Sequence, residues 1–176
     1  AGSDENLIEN GDFAKESARG WNPIGCTIKV ASAAAAVEVE QLVHERTYTD
    51  GPFPFFAMGC EPPVVNGAIH FVPTGAWSQF FVMSGGENTL SEGNYVVYLD
   101  MTSSKAASGM KLVMQNGWGG DADKKEINVS TNEGRHTYKY AMPDCAGGNY
   151  DIILQPQTAD ATLDVHSVKV CQVKNL

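Results

Sequence analysis

Trp77, Gln79 and Phe81 occupy alternate positions in one apolar stretch of the sequence. In an extended chain alternate side chains point the same way, so these three share one face. An aromatic ring beside an amide suits a polar ligand that also has an apolar face. Sugar rings are such ligands, because their C–H groups pack on aromatic rings while their hydroxyls hydrogen-bond to amides. The alternative is that Trp77 belongs to the core and Gln79 to its rim, since Trp is largely buried in most proteins.

The overall charge narrows the choice of partners. Lysine and arginine total 12 against 21 aspartate and glutamate residues, which gives a formal charge of -9. This charge repels phosphate backbones and anionic lipid surfaces, so we expect neither a nucleic-acid nor a membrane partner. No apolar run is long enough to cross a bilayer and no signal-peptide pattern opens the chain, so we expect a mature exported protein.

The length and the cysteines point to one ordinary domain. A chain of 176 residues can bury a full core without staples, and we predict a single module over 1–176. Cys26, Cys60, Cys145 and Cys171 lack the C-x-x-C spacing of zinc or redox sites. Two disulfides in any of three pairings and buried free thiols both remain open.

Short alternating segments separated by Gly, Asn, Asp and Pro recur along the whole chain, which predicts an all-β antiparallel sandwich. The predicted strands cover 27–31, 37–43, 68–72, 76–83, 95–101, 110–116, 125–129, 136–141, 150–155 and 162–170. The segment 47–66 is rich in Pro, Gly and Phe, and we expect it to fold over an edge of the sandwich. Its three phenylalanines either plug the end of the core or line a binding site.

Four motifs in this order resemble carbohydrate-binding modules of families four, nine and twenty-two. They are the opening 6–13 (NLIENGDF) with Gly20-Trp21, then Trp77-Ser78-Gln79, then 90–100 (LSEGNYVVYLD), and finally 163–168 (LDVHSV). The resemblance implies an antiparallel jelly roll whose concave face holds a glycan, often xylan or β-glucan. It also implies a secreted or cell-surface bacterial protein that targets an attached glycoside hydrolase to its substrate, with xylan the favoured ligand and β-glucan the alternative.

The alternation along three strands sets which side chains face outward. Gln79, Gln115 and Gln155 are predicted on outward faces of strands that a jelly roll places side by side. In xylan-binding relatives two aromatic residues clamp the chain, and the matching positions here are Trp77 and Trp118. The resemblance makes Trp21 structural. The predicted carbohydrate-binding residues are Trp77, Gln79, Tyr98, Asp100, Gln115, Asn116, Trp118 and Gln155.

Family members commonly hold one structural calcium between the opening motif and the closing aspartate. The matching residues are Asp12 and Asp164, and carboxylate oxygen is the donor that calcium prefers. However, Ala14 stands where the family usually has an acidic residue, which removes one ligand. Without metal, Asp164 is expected to accept hydrogen bonds from the N-terminal turn.

Two other classes of function compete with a binding module. A small glycoside hydrolase needs two facing carboxylates, and Asp100 with Asp151 or Glu126 is the available choice. No nucleophile elbow, zinc-protease motif or phosphate loop is present, so we predict no enzyme activity. A cell-surface adhesion sandwich needs an exposed apolar patch, for which 53–56 is the candidate.

Overall fold

The computed structural model describes residues 37–74, 77–156 and 160–175. Residues Val39–Lys174 form one compact unit. Almost all described residues belong to the unit Val39–Lys174. The opening motif, Trp21, Cys26 and the strand predicted over 27–31 lie outside the described residues.

The described chain is built of antiparallel strands and one short 3-10 turn at Gly85–Glu87. The strands are β1 Glu38–Thr47, β2 Ala57–Met58, β3 Val64–Val65, β4 Ala68–Phe71, β5 Gln79–Met83, β6 Thr89–Leu90, β7 Gly93–Ser103, β8 Ala107–Gln115, β9 Lys124–Thr131, β10 Gly134–Cys145, β11 Gly148–Asn149, β12 Asp151–Gln155 and β13 Leu163–Asn175.

Two large sheets form the sandwich. The six-stranded sheet has the order β10-β7-β13-β4-β3, with β1 also paired to β13, and the five-stranded sheet has the order β2-β5-β12-β8-β9. β6 and β11 form a small separate ribbon. This arrangement confirms the predicted all-β antiparallel sandwich.

The core lies between the two sheets and follows the alternation of the sequence. From the six-stranded sheet, Tyr95, Val97, Leu99 and Met101 are buried in it, as predicted. The five-stranded sheet contributes alternate residues of its three central strands, namely Phe80, Val82, Met110, Leu112, Met114, Ile152 and Leu154. Each of these strands has one face against the core, and a slip of one residue would turn that apolar set outward, so the core specifies their register.

The segment 47–66 connects the edges of both sheets, as expected of a loop that folds over the sandwich. Within it, β2 pairs with β5 and β3 pairs with β4. Phe53 packs edge-on against core Phe80, with ring centroids 6.1 Å apart. The Tyr48 hydroxyl donates a 2.6 Å hydrogen bond to the Val82 carbonyl, which fixes the start of the segment.

The described cysteines are free thiols rather than disulfides: Cys60, Cys145 and Cys171. Burial raises the pKa of the Cys145 thiol to about 11. Within the described ranges no helix is long and apolar enough to span a membrane.

Candidate functional site

The three predicted amides lie on the outer face of the five-stranded sheet, Gln79 and Gln155 in contact at one end and Gln115 four residues further along at the other. β12 runs between β5 and β8, and Gln155 Nε2 donates a 2.9 Å hydrogen bond to Gln79 Oε1. Gln115 lies on β8 opposite Asp151 of β12. Because their neighbours in sequence point into the core, these amides face away from it.

An apolar floor lies between the amides on the same face. Ile153 pairs with Phe81 on one side and with Val113 on the other. The three form a second buried cluster, separate from the core, against which Phe55 packs. The outer face of this sheet is therefore covered along its middle row, which is unusual for a sandwich surface that simply meets water.

Two exposed aromatic rings flank this floor. Trp118 stacks on Phe81 with ring centroids 6.3 Å apart and an interplanar angle of 18°. Phe56 meets the same ring edge-on at 5.8 Å. Trp118 is 64% exposed and Phe56 is 62% exposed, so most of each ring remains available to a ligand.

The loop that carries Trp118 is held by Asn116 and Asp123. Asn116 Nδ2 donates to the Gly147 carbonyl at 3.0 Å, and its Oδ1 accepts from the Asp123 backbone N–H at 2.7 Å. Asp123 accepts hydrogen bonds from the Tyr150 hydroxyl at 2.5 Å and from the Ala146 N–H at 3.0 Å. Asn116 was predicted to contact ligand, and the structure shows its amide bonded to the backbone of Asp123 at the end of the loop and of Gly147 in the adjoining turn.

The ionisation of Asp123 reflects a balance of two effects. Burial opposes the charged form, but hydrogen bonds from Lys125, Tyr150 and Ala146 outweigh burial and hold the pKa of Asp123 below its ordinary value. The carboxylate is therefore charged at neutral pH and fastens the end of the Trp118 loop to the adjoining segment.

Trp77 lies just before this face rather than on a strand. β5 begins at Gln79, and Trp77 has a φ of 74°, in the left-handed region. The strand predicted to begin at 76 therefore begins three residues later, and strand alternation does not set the direction of the indole. Trp77 is 73% exposed, so it is not a core residue.

Gln115 has an unusual environment for an amide. It is only 5% exposed, and its Nε2 has no hydrogen-bond partner. A buried donor without a partner costs about 1 to 3 kcal/mol of stability.

Charged side chains continue this face on its far edge. Glu126 of β9 lies opposite Val113 and takes Lys111 Nζ on Oε1 at 2.5 Å and Lys124 Nζ on Oε2 at 3.0 Å. Hydrogen bonds from Lys111 and then Lys124 keep the pKa of Glu126 below its ordinary value.

Tyr98 and Asp100 do not join this surface. Both point outward from β7 of the six-stranded sheet, on the opposite side of the molecule's core. The Tyr98 hydroxyl donates to Glu40, and Asp100 forms a two-point ion pair with Arg135 at 3.0 and 2.8 Å. They line a separate groove of about 410 Å³ together with Leu42. The expectation of one groove that includes them together with the amides is wrong.

The same placement bears on the hydrolase alternative. Asp100 belongs to one sheet, whereas Asp151 and Glu126 belong to the other. Neither pair can therefore flank a single glycosidic bond, since hydrolysis requires carboxylates less than about 10 Å apart on either side of it.

The calcium prediction concerns residues that the structure describes only in part. Asp12 lies outside the described residues, and Asp164 Oδ1 lies 2.6 Å from His70 Nδ1. Among residues 37–74, 77–156 and 160–175, no three His, Cys, Asp or Glu side chains converge to hold a metal ion. A nitrogen partner on Asp164 is not a feature of an oxygen-rich calcium site, so the described residues alone do not form one. A calcium held by Asp12 and Asp164 stays a prediction.

Two residues of this face were not among the predicted binding residues. Phe81 was placed on one side of the strand with Gln79 but was not assigned to the site. For Phe56 a plug and a binding site were both left open, because the two-residue strand β2 that follows it is too short for any periodic pattern.

Comparisons with known proteins support the same architecture. No protein-family model and no curated protein matches the chain. Among solved structures, the ligand-free CBM1 module of BiXyn10A has a TM-score of 0.57 at 15% identity, covering 74% of this chain and 97% of that one.

Two further structures are similar. The CBM22-1 xylan-binding domain of Paenibacillus barcinonensis Xyn10C has a TM-score of 0.54 at 12% identity, covering 80% of this chain and 100% of that one. The CBM22-1–GH10 modules of Clostridium thermocellum xylanase 10B, complexed with xylohexaose, have a TM-score of 0.53 at 11% identity, covering 78% of this chain and 30% of that one. The chain therefore has the β-sandwich fold of the carbohydrate-binding modules that its sequence motifs resemble.

Proposed function

We propose that this chain is a non-catalytic carbohydrate-binding module that binds plant cell-wall polysaccharide, xylan above all, on the outer face of its five-stranded sheet. The observation that carries the proposal is the exposed Trp118 ring stacked on Phe81, which shares its sheet face with the amides of Gln79, Gln115 and Gln155. Indole and phenyl rings offer apolar surface to sugar C–H groups, and amides offer both donors and acceptors to hydroxyls.

A neutral glycan gives this protein no charge to attract. Affinity must then come from ring contact and hydrogen bonds, so binding is nearly independent of salt. With few anchors we expect dissociation constants between micromolar and millimolar, or about 4 to 8 kcal/mol of binding free energy.

The proposal includes the biological setting. The module is secreted or presented at a bacterial cell surface and brings an attached glycoside hydrolase to its substrate. In support, one similar structure carries its module in the same chain as a GH10 module.

Calorimetric titration with xylohexaose tests the proposal. Trp118→Ala should weaken binding by about 2 kcal/mol, or roughly thirtyfold, because exposed aromatic anchors act as hot spots. Its thermal unfolding should change little, since the ring is mostly exposed. Leu42→Ala is the matched control, because Leu42 is an exposed apolar residue near Tyr98 on the opposite sheet.

Trp77→Ala separates the second clamp from the first. A loss comparable to that of Trp118→Ala assigns Trp77 to the ligand, and an unchanged affinity leaves Trp118 with Phe56 as the aromatic pair. Unchanged affinity in both Trp118→Ala and Phe56→Ala, with the fold retained, would refute binding at this face. Cellohexaose is the parallel ligand, and tighter binding of it than of xylohexaose would favour β-glucan.

A further inference from the structure

A group of three charged side chains on the proposed binding face has one positive charge in excess. Lys111 Nζ and Lys124 Nζ each bind a different oxygen of Glu126, at 2.5 and 3.0 Å. One carboxylate neutralises only one of two ammonium groups. We call Lys111, Glu126 and Lys124 the lysine pair site.

The lysine pair site adjoins the amides that the proposed function uses. Lys111 pairs in register with Gln155, and Gln115 pairs with Lys124. Side chains on directly paired positions of one face lie about 5 Å apart at their Cβ atoms. Both lysine side chains are about half exposed, so a group bound along the amides can reach their ammonium groups.

The local charge contrasts with that of the chain, which carries a formal charge of -9. Lys124, Gln115 and Asp151 are paired across three neighbouring strands, and Asp151 is the acidic member of this row. Its Oδ1 accepts a 2.6 Å hydrogen bond from the Gly85 N–H. It lies two strands from Lys124, roughly 10 Å at ordinary strand spacing, which is about one Debye length at 0.1 M salt. A polyanion is repelled by the whole molecule, whereas one carboxylate at the lysine pair site meets a positive charge.

We propose that the lysine pair site is a specificity subsite for the carboxylate of a uronic acid branch on the bound glycan. This inference rests on the proposed function, because the glycan backbone on the amides must bring the carboxylate to the lysines. A carboxylate is the group that these ammonium groups already bind in Glu126. The module then prefers xylan that carries sparse glucuronic acid branches over unbranched xylan.

The test compares two xylo-oligosaccharides of equal backbone length, one unbranched and one with a single glucuronic acid branch. By titration calorimetry at low salt, the branched ligand should bind about two- to fivefold more tightly, as expected for one solvent-exposed ion pair. At about 0.5 M salt the preference should disappear, because exposed charges are screened.

Two variants should move the preference in opposite directions. Lys124→Gln leaves Lys111 neutralised by Glu126, so the preference should vanish. Glu126→Gln leaves two uncompensated lysines, so the preference should increase. Lys169→Gln, on the outer face of the other sheet, is the matched control and should change nothing.

The outcomes separate this inference from the function on which it rests. If the unbranched ligand binds and the branched ligand binds no more tightly, the subsite is refuted while the module remains glycan-binding. The same conclusion follows if Lys124→Gln keeps the preference or if both variants shift it in the same direction. If neither oligosaccharide binds, the proposed function and the subsite are both refuted.

Discussion

Replacing Asn116 by Ala should loosen the Trp118 loop without removing any surface that meets the ligand. The Asn116 amide makes two hydrogen bonds to backbone, one to the Gly147 carbonyl and one from the Asp123 N–H. The Asp123 contact, 7 residues away along the chain, closes the loop, and the Gly147 contact, 31 residues away, ties it to the turn after β10. Both would be lost together in Asn116→Ala.

The size of the effect follows from those two bonds. Each is worth about 0.5 to 1.5 kcal/mol net, so the free energy of unfolding should fall by about 2 kcal/mol. For a chain of this size that corresponds to a melting temperature lower by roughly 4 to 8 °C. Affinity for xylohexaose should fall by no more than about fivefold, because the indole remains and only its position is less constrained.

Urea unfolding and calorimetric titration on the same preparations measure both quantities. Asn132→Ala, at the exposed turn between β9 and β10, is the control and should change neither. An unfolding free energy within about 0.5 kcal/mol of the parent, combined with an affinity loss as large as that of Trp118→Ala, would contradict this reasoning. Asn116 would then act on the ligand directly rather than through the loop.

Two other residues of the face give opposite kinds of prediction. Gln115→Met removes the buried amide nitrogen that lacks a partner, so urea unfolding should show about 1 kcal/mol more stability. Xylohexaose binding should weaken at the same time. A less stable variant would contradict the interpretation of that nitrogen as unsatisfied. The pKa of Asp123 is lowered from its ordinary value of 3.8, so near that pH the unfolded chain binds more protons than the folded chain. The stability that the Asp123 carboxylate contributes is therefore present above pH 3.8 and is lost as the pH falls below it. The stability difference between the parent and Asp123→Asn should therefore shrink as pH falls from about 6 to about 2.5, with Asp121→Asn as the control, and a difference that stays constant with pH would exclude this contribution.

The strand faces could be predicted because each sheet has one side against the core. Tyr95, Val97 and Leu99 alternate with outward residues, and only one register buries them all. The three amides were placed correctly for the same reason. A local pattern is enough when burial on one face selects between two possibilities.

Alternation does not say to which sheet a strand belongs. Tyr98 and Gln115 are both outward residues that follow an inward apolar one, Val97 and Met114, and this alternation does not distinguish their sheets. Their separation onto opposite sheets depends on strand pairing between distant segments, such as β12 with β5 and β8. The left-handed backbone of Trp77 was equally hidden, since no glycine or asparagine marks that position.

The composition of the face suggests which of its residues can change specificity freely. Phe81, Val113 and Ile153 are buried outside the main core, so substitutions there remove packed surface and disturb the support of the Trp118 ring. Trp118, Phe56, Lys111 and Lys124 are exposed around that floor and support little of the fold. Under the proposed function, changes at these four positions should alter which glycan binds at small cost in stability. Changes at Phe81 or Val113 should lower both the free energy of unfolding and the affinity for glycan. If the proposed function holds, the buried floor fixes the positions of the exposed rings, and substitutions on the exposed rim are the ones that should change which sugar substituents are accepted.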